Sequence, residues 1–134
     1  SASHSLVESG ITNPEILLVL VPLSIILVGP SEELLFRGVI QQLLRLQFGI
    51  AIGIGIASVI FALVHIGSLT GEGLVPTLLT YIALSTILGI SYEYSRTLTV
   101  PALIHGVFNA FQFGLLYWVA TTDTPTAAML LLII

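Results

Sequence analysis

Three ionisable side chains stand close together in an otherwise apolar stretch: Glu32, Glu33 and Arg37, within SEELLFRG. A charge inside a bilayer costs about 2.5–3.5 kcal/mol on insertion scales, so each of these residues needs a reason to be there. Glu33 and Arg37 are four residues apart, about 40° around an α-helix and in acid-before-base order, so they can neutralise each other. Glu32 lies about 140° around the helix from Arg37 and stands outside that pair. One carboxylate is held and one is left for chemistry. Two histidines follow on separate segments. His65 has Phe61 one turn before it, and His105 has Asn109 one turn after it on the same face, with Gln112 close by. A free carboxylate and two imidazoles can supply acid–base chemistry, and His105 and Asn109 at that spacing present two donors to one point. Taken singly, each residue has a plainer reading, the interhelical hydrogen bonding common in membrane bundles. Taken together, they favour the chemical one.

The elements that must position them are apolar. The chain has 134 residues, 56% hydrophobic and 7% charged, with a mean hydropathy of +1.11. A soluble domain carries about 25% charged residues. Pro14–Gly29, Gly49–Ile66, Leu74–Tyr92 and Thr99–Ala120 are long enough, or nearly so, for spanning helices of roughly 20 residues. The expected fold is all-α, a polytopic transmembrane bundle of four full spans plus a partial C-terminal one. Residues 1–13 form a polar lead-in, and residues 14–134 form a single membrane-embedded core. Gly29-Pro30 marks a kink or break in the first span. QQLLRLQ suits the membrane edge, and GSLTGEG forms a turn. Arg45 and Arg96 fall on one side of the alternating spans and mark it as cytoplasmic, which puts the N-terminus outside and opens the site toward the cytoplasm of a cell membrane. The chain starts without methionine and stops inside AAMLLLII, as a processed chain or a membrane-domain segment would. With no lysine, three arginines and a net charge of -4, no basic surface is available for nucleic acid. With no cysteine, disulfides, thiolate metal centres and a cysteine nucleophile are excluded.

Glu32-Glu33-x-x-x-Arg37, Phe61-x-x-x-His65 and His105-x-x-x-Asn109 resemble, in order and spacing, the three motifs of the CAAX protease and bacteriocin-processing family. The matching block runs from about Pro30 to Asn109. The resemblance implies an intramembrane glutamate endopeptidase, similar to the Ras-converting CAAX endopeptidases, that acts on membrane-associated peptide or protein substrates. Prenylated CAAX-type tails and leader peptides are both open. It implies Glu32, His65, His105 and Asn109 as catalytic residues, with Glu33 and Arg37 supporting. Glu32 activates the water, His65 shares it and passes the proton on, and His105 and Asn109 donate to the oxyanion. No cofactor or metal is expected. Two alternatives stand beside this reading. One is a non-catalytic membrane immunity or interaction protein on the same fold. The other is a metal-dependent protease with Glu32, His65 and His105 as ligands, although HExxH is absent because Ile66-Gly67 follows His65. Gly89-Ile90-Ser91 resembles a serine-protease triplet, but Ser91 near a helix end is expected to bond backbone. Gly49, Gly53 and Gly55, with Ala57, are expected to form a close helix contact.

Overall fold

The computed structural model describes Ser9, residues 12–66 and residues 74–122. Among these residues there is no strand, and four long helices account for nearly the whole backbone. Helix α1 is the continuous run Glu15–Phe48, α2 is Ile50–His65, α3 is Leu74–Ser95 and α4 is Thr99–Thr121. Helices α1, α3 and α4 are long and apolar enough to cross a membrane. Helix α2 has 16 residues, about 24 Å of rise against a hydrocarbon core of about 30 Å. The expected all-α bundle is thus present, with α1, α3 and α4 full-length and α2 shorter. Gly49, at φ 87°, allows the chain to reverse directly out of α1, and α2 runs to His65. The partial C-terminal segment lies outside the described residues.

Gly29-Pro30 does not break α1. The helix widens to π geometry over Ser24–Val28, returns to α for Gly29–Glu33, and widens again over Leu34–Gln41. A π stretch before Pro30 accommodates a residue that has no N–H to offer the preceding turn. Such stretches gather at functional sites, and here they flank the turn that carries both glutamates.

The N-terminal half of α1 packs on α4, its C-terminal half packs on α2 and α3, and α3 returns to α4. Gly29 and Gly106 let two backbones meet. A Cβ on Gly29 would stand 2.8 Å from the Ala102 carbonyl oxygen, and one on Gly106 would stand 2.7 Å from Ile25 Cα. Gly53 likewise faces the Arg45 backbone, whereas Gly49 and Gly55 face open space, so only part of the expected glycine contact forms. A polar ladder joins α1 to α3. Arg37 Nη2 donates to Ser85 O and Oγ, each at 2.7 Å, Gln41 Nε2 donates to Gly89 O at 3.2 Å, and Arg45 Nε lies 3.4 Å from Glu93 Oε2. Each pair is 48 positions apart, so α1 and α3 run parallel.

The distribution of side chains is inverted relative to a soluble protein. Ser24, Glu33, Arg37, Gln41, Ser58, Ser85 and His105 are buried, while Ile26, Leu46, Val64 and Phe111 point outward. Lipid tails are as apolar as leucine, so polar contacts, close backbone packing and lipid entropy hold such a bundle together.

Candidate active site

The α-helical turn Gly29–Glu33 presents two adjacent carboxylates in different settings. Glu33 is fully buried, whereas 31% of the Glu32 side chain is accessible. Glu33 Oε1 accepts from Arg37 Nη1 at 3.0 Å, which places the ion pair where the spacing puts it. The same oxygen also accepts from His105 Nδ1 at 2.8 Å, a contact from α4 that the sequence does not announce. Arg37 is buried and shares its guanidinium between Glu33 and Ser85, and it also lies 5.2 Å from the centre of the Phe61 ring, close enough for a cation–π contact.

Glu32 faces the two histidines. Its Oε2 lies 3.4 Å from His105 Nε2 and 3.7 Å from His65 Nε2. Both rings have committed their other nitrogen, His105 Nδ1 to Glu33 and His65 Nδ1 to the Phe61 carbonyl at 2.7 Å. A carbonyl and a carboxylate only accept, so each Nδ1 carries a proton, and each ring turns its Nε2 toward Glu32. Glu32 Oε2 and the two Nε2 atoms thus converge. Glu32 Oε2 is buried and has no hydrogen-bond partner among the described residues.

The structure brings Glu32, Glu33, Arg37, His65 and His105 into one connected group drawn from α1, α2 and α4. Asn109 is half-buried one turn beyond His105 on α4. With its Nδ1 hydrogen spent on Glu33, His105 donates from Nε2 only when the ring carries both protons. Two residues lay outside the sequence reading. Ser85 binds Arg37, and Tyr81 lies against His65 with ring centres 4.9 Å apart. Both stand on α3, which carries no motif. A serine and a tyrosine four residues apart on an otherwise apolar span were the available signal. Ser91 Oγ donates to the Leu88 carbonyl at 2.8 Å, in keeping with its expected backbone role.

Residues 14–111 match the protein family described as Type II CAAX prenyl endopeptidase Rce1-like. The chain is also similar to a protein of Bacillus subtilis (strain 168) named Uncharacterized protein YpbD. The two are 36% identical over 85 residues, which cover 63% of this chain and 39% of that protein. No solved structure matches.

Proposed function

The chain belongs to the Type II CAAX prenyl endopeptidase Rce1-like family, and from that premise we propose that it is an intramembrane endopeptidase in which Glu32 activates the attacking water. The observation that carries the proposal is the difference between the two glutamates. Glu33 is sealed and doubly bonded, whereas Glu32 is reachable and directs a buried, unbonded oxygen at two imidazole nitrogens. A water at that point donates one hydrogen to Glu32 and the other to His65 Nε2. Glu32 takes the proton as the water oxygen adds to the scissile carbonyl carbon. His65, beside Glu32, then carries that proton to the departing amine as the C–N bond breaks. His105, protonated on both nitrogens and supported by Glu33, donates Nε2–H to the oxyanion together with the Asn109 amide. Arg37 holds Glu33 in place. The substrate is a membrane-associated peptide, either a prenylated CAAX-type tail or an unmodified leader, reached from the cytoplasmic side of a cell membrane.

The same histidine geometry favours one second reading. Imidazoles that commit one nitrogen to a carbonyl or carboxylate and aim the other at a shared point are typical of metal ligands, so Glu32, His65 and His105 form a His₂Glu alternative. Among the described residues, however, no group of three or more is arranged to hold a metal ion.

The test is cleavage of a peptide panel, with and without a farnesyl group, by purified chain in lipid nanodiscs. Cleavage that survives chelator and is lost in a folded Glu32→Gln variant is expected. Activity removed by chelator and restored by stoichiometric zinc favours the metal reading. No cleavage by the parent protein favours the binding scaffold, and full cleavage by Glu32→Gln overturns Glu32 as the base.

A further inference from the structure

Helix α3 carries none of the three motifs, yet it turns one face to the site. Tyr81, Ser85, Gly89 and Glu93 recur every four residues and meet His65, Arg37, Gln41 and Arg45 in turn. Tyr81 is the one that reaches a motif histidine. Its ring centre is 4.9 Å from that of His65 with the planes 30° apart, and Phe61 stacks on His65 at 4.3 Å and 29°. The Phe61 and Tyr81 centres are only 6.2 Å apart, so the two rings support the imidazole from adjacent sides rather than sandwiching it.

These two supports do different work. Phe61 and the carbonyl that accepts His65 Nδ1–H both belong to α2, one turn before His65. They fix the imidazole relative to its own helix and move with it. Glu32 stands on α1. His65 is the last residue of the shortest of the four helices, so keeping its Nε2 turned toward α1 requires a contact from outside α2. Tyr81 supplies it from α3, which is itself tied to α1 one turn further on by the bonds from Arg37 to Ser85. Aromatic contacts of this separation stabilise beyond the area they bury, and they restrict a ring that has one local hydrogen bond.

We propose that Tyr81 is a positioning residue of the site, its ring rather than its hydroxyl holding the His65 imidazole so that Nε2 faces Glu32. The effect on turnover rests on the glutamate-protease reading; the placement of the ring does not. The experiment uses the full chain carrying 13C,15N-histidine in lipid nanodiscs, with Tyr81→Phe and Tyr81→Leu compared and His65→Gln used to assign the signal. Tyr81→Phe is expected to leave the His65 ring resonances and their Nδ1–H pattern in place. Tyr81→Leu is expected to shift and broaden them while the His105 signals stay, which shows that the bundle is intact. Against a farnesylated CAAX-type peptide, Tyr81→Leu should lower kcat about tenfold to hundredfold with KM nearly unchanged, and Tyr81→Phe should stay close to the parent. The proposal is overturned if Tyr81→Leu, or Tyr81→Met should leucine not fold, leaves the His65 signals in place. It is equally overturned if Tyr81→Phe disturbs them as much, which moves the role to the hydroxyl, or if the spectrum moves while kcat holds. If the parent protein cleaves no peptide, the protease reading fails and the spectra alone decide where Tyr81 acts.

Discussion

Glu33 Oε1 is shared by two donors, Arg37 from its own helix and His105 from α4, so this oxygen joins the ion pair to the His105 imidazole. Removing its charge leaves Arg37 buried without its counter-ion, and breaking a buried pair costs about 3–5 kcal/mol. Glu33→Gln should therefore lower thermal stability and yield, with activity falling for that reason. Adding Arg37→Met should recover part of the loss, because no unpaired charge remains. Glu32→Gln should melt close to the parent yet give no turnover, since an amide cannot accept the proton of water. Melting in detergent, with single-turnover cleavage, checks both. A destabilised Glu32→Gln beside a folded, inactive Glu33→Gln would reverse the two roles. The pair with Arg37 was legible in the sequence because it is local, four residues along one helix. The bond from His105 was not, because it closes over 72 positions and depends on how closely α1 and α4 approach.

That approach belongs to the helices. The run lengths of apolar residues disclosed α1, α3 and α4, but not that α1 would pass Pro30 unbroken through two π stretches. Hydrophobic periodicity is too coarse to register a wider turn in a segment that is apolar on nearly every side. Nor did it reveal which small residues bring helices together. Gly106 does so, because a methyl group there meets Ile25 Cα and the Ser24 carbonyl oxygen, both backbone atoms. Gly106→Ala should destabilise by about 1–3 kcal/mol, as overpacking does, and should slow cleavage by moving His105 away from Glu33. Gly55→Ala provides the control. It faces open space on α2, and alanine is favoured over glycine inside a helix by roughly 0.5–1 kcal/mol, so stability should hold or rise. Equal losses at both positions in thermal denaturation would remove the contact between α1 and α4 as the cause.

The four helices together present apolar side chains outward and bury their polar ones, the arrangement of an integral membrane protein. Its direction across the bilayer was read from two arginines, and helix geometry alone does not decide which end of a bundle faces the cytoplasm. Because the chain lacks cysteine, single cysteines at positions 9, 72 and 95 report their side cleanly. Impermeant thiol reagent should reach positions 9 and 72 from outside and position 95 only after permeabilisation. Labelling of position 95 in intact cells would invert the topology and the proposed opening of the site. The placing of the Glu33–Arg37 pair also bears on biogenesis. When α1 first enters the bilayer, Ser85 and His105, 48 and 72 positions further along, have yet to be synthesised or inserted. A carboxylate and a guanidinium one turn apart can neutralise each other within a solitary helix. The helix can thus be admitted to lipid as a nearly neutral unit, and the pair is handed over to its distant partners as α3 and α4 arrive. The order in which the helices emerge is thereby built into which of these contacts are local.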